Sequence, residues 1–292
     1  MIAVVTGAAG FAGYSFTIEL LNRGYRVHAI LRPGSEHNKR FSDITDSEKL
    51  LLHEVDCNDF DKISDSINES CDVFYHLAWF GARDDFEGQN KNIIYTIKAL
   101  ESAGKLGCKR FVGIGSQAEY GVCKDVITED LTPAPINAYG AAKVAALYLS
   151  KRRAEQLGVE WIWGRIFSLY GLYEPKGRML PDLVDSIKRG ETKHLSSCEQ
   201  YWDYLNVLDA SKAIAAIGEK GHNGEIYNIA NGDYKALKEF VEEIRTTLNP
   251  DCHIVYGDRA NPFISLKTDI SKIRKHTGWY PEIPFMEGIR QL

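Results

Sequence analysis

Along residues 1–171, short apolar, β-rich runs alternate with longer stretches in which apolar positions recur at helical spacing. The runs fall at 2–6, 26–31, 51–55, 72–77 and 110–115. The helical stretches fall at 14–23, 59–68, 89–106 and 139–156, with Gly24, Gly107 and Gly158 closing three of them. Strand and helix alternating in this way predict an α/β fold, a doubly wound parallel sheet with helices on both faces. On such sheets ligands sit at the carboxyl ends of the strands, so the residues just after each run matter most. No repeat or low-complexity linker interrupts the chain.

Composition narrows the partners. A chain of 292 residues fits one large α/β unit, or a nucleotide-binding domain with a smaller companion, and either buries a substantial core. A net charge of −5 offers no overall basic field for nucleic acid or acidic membrane, so neither is expected as a partner. The six cysteines are scattered, with no C-x-x-C pair and no cluster at zinc spacing, which predicts reduced thiols and no metal. The opening MIAVVTGAAGF reads as a first strand and not as a signal peptide, and no apolar run approaches the ~20 residues that span a bilayer. The expected location is cytoplasmic.

Candidate chemistry begins at the first strand-to-helix turn. Gly7, Gly10 and Gly13, spaced three apart, let the backbone approach a pyrophosphate at a helix start, and an ordinary tight turn is the alternative. The second strand ends at Leu31, where a carboxylate would hold the ribose hydroxyls of NAD. Arg32-Pro-Gly-Ser35 follows, then Lys39 and Arg40. An arginine beside a missing carboxylate favours the 2′-phosphate of NADP, with NAD possible and a solvated basic loop as the alternative. Asp56, at the third strand's end, could reach an adenine amino group or simply cap a turn.

Three tyrosines are followed four residues later by lysine: Tyr120/Lys124, Tyr139/Lys143 and Tyr234/Lys238. On a helix that spacing points a phenol and an ammonium the same way. Tyr120 lies in a turn-like stretch, and Tyr234 begins a helix that no strand end feeds. Only Tyr139/Lys143 joins a helix to an active sheet edge, the one bearing Ser116 after the fifth strand.

Together these residues resemble the extended short-chain dehydrogenase/reductase family in its nucleotide-sugar branch of epimerases, dehydratases and 4-keto-sugar reductases, with a Rossmann domain and a smaller C-terminal α/β substrate domain. TGAAGFAG is similar to the family's cofactor loop, which brings Phe11 and Ala12 in with the glycines. The resemblance assigns Ser35, Asp56, Leu77, Ala78 (in the His76-Leu-Ala motif) and Asn92 to cofactor binding. Ser116, Tyr139 and Lys143 match the catalytic trio. Later landmarks are RIFSLYG, DYLNVLD, GEIYN and Gly278-Trp279. The implied division is 1–171 with 205–232 returning to it, against a sugar-nucleotide domain of 172–204 and 233–292.

By that resemblance Ser116 holds the reacting oxygen, Tyr139 exchanges a proton with it, and Lys143 binds the nicotinamide ribose and lowers the tyrosine's pKa. Dehydratases of the family place an Asp-Glu pair directly after the serine. Gln117-Ala118 stands here, so dehydration is not expected. What remains is NADPH-dependent reduction of a nucleotide-diphosphate 4-keto-6-deoxy sugar, with an NAD-dependent 4-epimerase as the alternative and a non-catalytic NADP sensor more remote. Gln117, Ser168, Arg178 and Arg259 are the expected substrate contacts. Arg178 is a candidate to compensate for a family arginine replaced by Trp202. Family members commonly pair through the helices bearing Asn92 and Tyr139, so a homodimer is expected.

Overall fold

Successive residues of the central strands point into two different cores. Ala3, Val5, Tyr75, Val112 and Ile162 enter one, while Val4, Phe74, Phe111, Trp161 and Trp163 enter the other. A strand buried on both faces needs apolar side chains at consecutive positions, which is why these segments read as unbroken apolar runs. The computed structural model describes residues 1–42, 44, 48–260 and 264–292. Positions 261–263 of the expected sugar-nucleotide domain lie outside the described residues.

The strands β1 (Ile2–Thr6), β2 (Arg26–Leu31), β3 (Leu50–Glu54), β4 (Val73–His76), β5 (Arg110–Ser116) and β6 (Glu160–Ile166) join Ile226–Ile229 in one parallel sheet. Its order is Ile226–Ile229, β6, β5, β4, β1, β2, β3. The order reverses between β1 and β4, and the carboxyl ends there form the crevice in which such sheets bind ligands. Helix α1 (Phe11–Asn22) and the helices Val207–Lys220 and Ser271–Thr277 cover one face. Helices α2 (Phe86–Lys105) and α3 (Ala138–Leu157) cover the other, with the segment Cys57–Ser66. Among the described residues no helix is long and apolar enough to cross a membrane.

A third core lies beyond the strand ends. It gathers Leu183, Val184 and Ile187 of the helix Met179–Lys188, Phe240, Val241 and Ile244 of the helix Leu237–Leu248, and Ile289 near the C-terminus. Residues 270–279 do not join it. Ile270, Ile273 and Trp279 pack against the main sheet's core instead, while Ile289 beyond them belongs to the third core. The apolar side chains of the first three fill the face beside the helix Val207–Lys220.

The expected helix at 59–68 is a 3-10 segment, Cys57–Ser66, with Asp59 in a non-helical conformation. Asp and Ser side chains compete with the backbone for hydrogen bonds, and this stretch carries Asp59, Asp61, Ser64, Asp65 and Ser66. Ser116 is the last residue of β5, not the first residue after it. Tyr234 lies outside the helix that starts at Leu237, so Tyr234/Lys238 do not share a helical face.

A buried ion pair ties β5 to β6. Glu119 accepts from Arg165 Nε at 2.7 Å, from the Trp163 indole at 3.0 Å and from the backbone N–H of Ser116 at 2.8 Å. Its side chain is fully buried and that of Arg165 is 1% exposed. Glu119→Ala would strand the Arg165 charge in the interior. It is expected to cost about 3–5 kcal/mol, read as a lower urea midpoint.

Candidate active site

A cleft of about 900 Å³ opens along the carboxyl ends of β1, β2, β4 and β5 and runs on toward the third core. Gly7, Gly10, Phe11, Ala12 and Gly13 form its floor at the start of α1. The glycine turn is tight enough to exclude side chains. Gly7 has φ +69°, and a Cβ on Gly13 would stand 2.0 Å from the Gly7 carbonyl oxygen. A floor of bare backbone beside a helix N-terminus fits the pyrophosphate of a dinucleotide.

The neighbouring strand end is held by a chain of buried hydrogen bonds whose direction can be assigned. Thr96 Oγ1 donates to the Asn92 carbonyl, so it must accept from His76 Nε2. His76 Nδ1 is then an acceptor and takes the Thr6 hydroxyl proton at 2.8 Å. Burial pushes the His76 pKa down to about 3, so the ring stays neutral and the chain does not switch near neutrality. It fixes β1 against β4 and α2, and so places Leu77 and Ala78, which line the cleft.

Of the basic residues after β2, one is uncommitted. Lys39 pairs with Glu36 at 2.6 Å, and Arg40 donates to the Ala9 carbonyl at 2.7 Å while lying over the Tyr173 ring. Arg32 lines the cleft with Ser35, and its guanidinium has no ion pair among the described residues. Two expected cofactor contacts make hydrogen bonds within the protein. Asp56 caps the segment Cys57–Ser66 through the Asn58 N–H at 2.9 Å, and it does not line the cleft. Asn92 clamps Phe80, donating to its carbonyl at 2.7 Å and accepting from its N–H at 3.2 Å, which positions the loop after β4.

Ser116, Tyr139 and Lys143 meet in the cleft. Gly140 permits this, since a Cβ there would lie 2.4 Å from the Ala118 carbonyl oxygen, so the first turn of α3 presses against the chain just after Ser116. Asn137 caps that turn through the Gly140 N–H at 2.8 Å. Burial raises the Tyr139 pKa; hydrogen bonding to Ser116 opposes it, then the charge of Arg83, while Glu119 adds to the rise and Arg178 opposes it. Lys143 Nζ donates to the Ile114 carbonyl at 2.6 Å and sits 3.5 Å from the centre of a Trp79 ring. Burial brings Lys143 itself down to about 7, which Glu119 resists. The other tyrosine of this stretch, Tyr120, is buried and spends its hydroxyl on Asn228 at 2.6 Å.

Gln117, beside Ser116, and Ser168 and Arg178 also line the cleft. Arg259 is exposed and stands outside it. Sequence reasoning missed four residues here. Glu119 had a signal, the S-x-x-E spacing of a capping box, which the structure forms at Ser116. Arg83 and Trp79 had none, being ordinary loop residues until the loop folds over α3. Glu174 had none either. It lines the cleft with one carboxylate oxygen buried and unpartnered among the described residues, and burial lifts its pKa to about 7 against the pull of Arg178.

This parallel sheet, glycine turn and Ser/Tyr/Lys cluster define a dinucleotide-dependent enzyme of the extended short-chain dehydrogenase/reductase type. Residues 3–230 match the NAD dependent epimerase/dehydratase family, and the chain belongs to it. It is 27% identical to a UDP-glucose 4-epimerase of Corynebacterium glutamicum, over 97% of this chain and 91% of that one. It is 25% identical to a dTDP-glucose 4,6-dehydratase of Haemophilus influenzae, over 100% and 96%. Among solved structures, UDP-glucose 4-epimerase of Thermotoga maritima with UDP-glucose superposes with a TM-score of 0.85 at 25% identity, covering 100% of this chain and 97% of that one.

Gly13→Ala is expected to weaken dinucleotide binding about fivefold or more, because the added methyl must displace the Gly7 backbone; overpacking of this kind costs about 1–3 kcal/mol. Fluorescence titration with NADPH measures it. Glu174 gives a pH signature. Its folded pKa of about 7 lies above the ordinary 4.5, so the folded state keeps a proton the unfolded chain has lost. Stability therefore falls as pH rises between those values, and the loss is complete above 7. Glu174→Gln should raise Tm at pH 8, reflecting about 1 kcal/mol of added unfolding free energy after allowing for solvent on this partly exposed side chain, and leave it unchanged at pH 4.

Proposed function

We propose that this protein is an NADPH-dependent reductase of a nucleotide-diphosphate 4-keto-6-deoxy sugar. The observation that carries the reading is Arg32, a cleft-lining cation without an ion pair among the described residues, beside Leu31, where a carboxylate would favour NAD. The glycine floor would hold the cofactor's pyrophosphate and Arg32 its 2′-phosphate, and the bound cofactor supplies a hydride. Ser116 would donate a hydrogen bond to the C4 oxygen, and Tyr139 would deliver the proton that completes the alcohol. Arg178 and Ser168, on the far wall, suit the diphosphate and sugar.

Elimination of water is disfavoured for a structural reason as well. Gln117-Ala118 carries no acid, and the carboxylate that follows in the chain, Glu119, spends both oxygens on Ser116, Trp163 and Arg165. The relatives named epimerase favour a second reading, a nucleotide-sugar 4-epimerase that keeps NAD bound and oxidises and re-reduces the same carbon. Exposed apolar residues Ile94 on α2 and Tyr148 and Leu149 on α3 suit a homodimer through those helices.

Incubation with NADPH and a panel of CDP-, GDP-, TDP- and UDP-4-keto-6-deoxyhexoses should consume cofactor with one member of the panel. Tyr139→Phe should lower that turnover by about 10²-fold or more while leaving NADPH affinity intact. Full activity in the variant, or no consumption with any sugar, contradicts the reading.

A further inference from the structure

We propose that Glu174 is a specificity-determining residue of the cleft, whose carboxyl group binds a hydroxyl of the sugar that the nucleotide carries. The inference rests on the ligand being a nucleotide sugar, and holds whether that sugar is reduced or epimerised.

The turn that carries Glu174 is built against backbone preference. Gly171 has φ +139°, and a Cβ there would stand 2.7 Å from a Val207 methyl carbon. Two residues on, Tyr173 has φ +66°, a left-handed conformation that is strained for a bulky side chain. The Glu174 N–H closes the turn on the Gly171 carbonyl at 3.1 Å. This strained turn is held from the cofactor side. The Tyr173 ring meets the Tyr14 ring edge-on, with centroids 5.1 Å apart. It also lies 4.2 Å from the guanidinium carbon of Arg40, which is itself bonded to the Ala9 carbonyl of the glycine turn. The backbone at Glu174 is therefore in place before any ligand arrives, so little ordering cost is left for binding.

The side chain placed there does not serve the fold. Glu174 lines the cleft with Oε2 enclosed and without a hydrogen-bond partner among the described residues. An enclosed carboxyl oxygen that lacks a donor destabilises the protein, and it gains most from a donor that a ligand brings. Met179, Trp202 and Tyr204 line the cleft with it and pack into the third core, so this is the end of the cleft beyond the glycine floor. The group held there belongs to the second ligand and not to the dinucleotide.

A hydroxyl fits this carboxyl group better than the other groups of a nucleotide sugar. It donates to a carboxylate, and it both donates to and accepts from a carboxylic acid, so the contact forms in either protonation state. A diphosphate offers only acceptors and is repelled. An ammonium substituent on the sugar is opposed by Arg178, whose charge already acts on Glu174.

The test is binding, not turnover. CDP-, GDP-, TDP- and UDP-glucose and the matching nucleoside diphosphates are titrated by calorimetry into the protein saturated with NADP, as wild type, Glu174→Leu and Glu174→Gln. The tightest nucleotide glucose is then compared with its 2-deoxy and 3-deoxy forms, which lack the two hydroxyls that a 4-keto-6-deoxyhexose keeps. Glu174→Leu should weaken the nucleotide glucose about tenfold or more and leave its nucleoside diphosphate and NADPH unchanged. Glu174→Gln, whose amide still accepts and donates, should stay within about threefold of wild type. One of the deoxy sugars should bind wild type about tenfold more weakly than the parent, and Glu174→Leu should bind the two alike. Equal loss for the nucleoside diphosphate, loss of NADPH affinity, or a deoxy penalty undiminished in Glu174→Leu overturns the proposal. Unchanged nucleotide-glucose binding in Glu174→Leu overturns this inference alone, whereas a wild-type protein that binds none of the panel overturns it together with the nucleotide-sugar reading.

Discussion

The site depends on one buried carboxylate. Glu119 faces inward from the turn after β5 and is fully used: it holds the N–H of Ser116, the indole of Trp163 and the guanidinium of Arg165. A buried charge is tolerated only where it is paired and hydrogen-bonded. That requirement fixes the last residue of β5 against β6 and points the Ser116 side chain into the cleft. Arg165 extends the network by lying over the Tyr120 ring, and Tyr120 reaches Asn228 beside the seventh strand. The cost of burying Glu119 and Arg165 together is thus converted into a rigid strand end, and α3 docks there through Gly140.

Much of this was legible in the sequence because it rests on local patterns. The apolar runs marked the strands, the glycines marked the turn under the dinucleotide, and helical spacing with position at a strand end singled out Tyr139 and Lys143 from two other Tyr/Lys pairs. What the sequence hid is tertiary. Nothing local says that Lys143 Nζ will be captured by the Ile114 carbonyl and Trp79, or that Arg83 will fold over α3. Asp56 was open to two readings, an adenine contact or a cap, and the cap on the 3-10 segment is formed, because a strand-end aspartate satisfies the nearest free N–H. Arg40 looked like one of a solvated run and is tied to the glycine turn through Ala9.

The electrostatic arrangement suits an enzyme that delivers a proton sparingly. Burial raises the pKa of Tyr139 and lowers that of Lys143, and Arg83 and Arg178 line the cleft beside them. The first two effects follow from one physical fact, the removal of water from the end of β5. Glu174, held largely protonated below about pH 7 on the opposite wall, adds a hydrogen-bond donor where a sugar hydroxyl or carbonyl would lie under the proposed reading.

The central claim is that the cofactor is an exchangeable NADPH gripped by Arg32. Its most direct test is the ratio of NADPH to NADH dissociation constants for the purified protein, measured by fluorescence titration and repeated in Arg32→Ala. The account predicts NADPH tighter by about tenfold or more, since a guanidinium–phosphate contact contributes on the order of 1.5–3 kcal/mol, with most of that preference lost in the variant. Equal affinities, or a protein that purifies with NAD it does not release, would contradict the account.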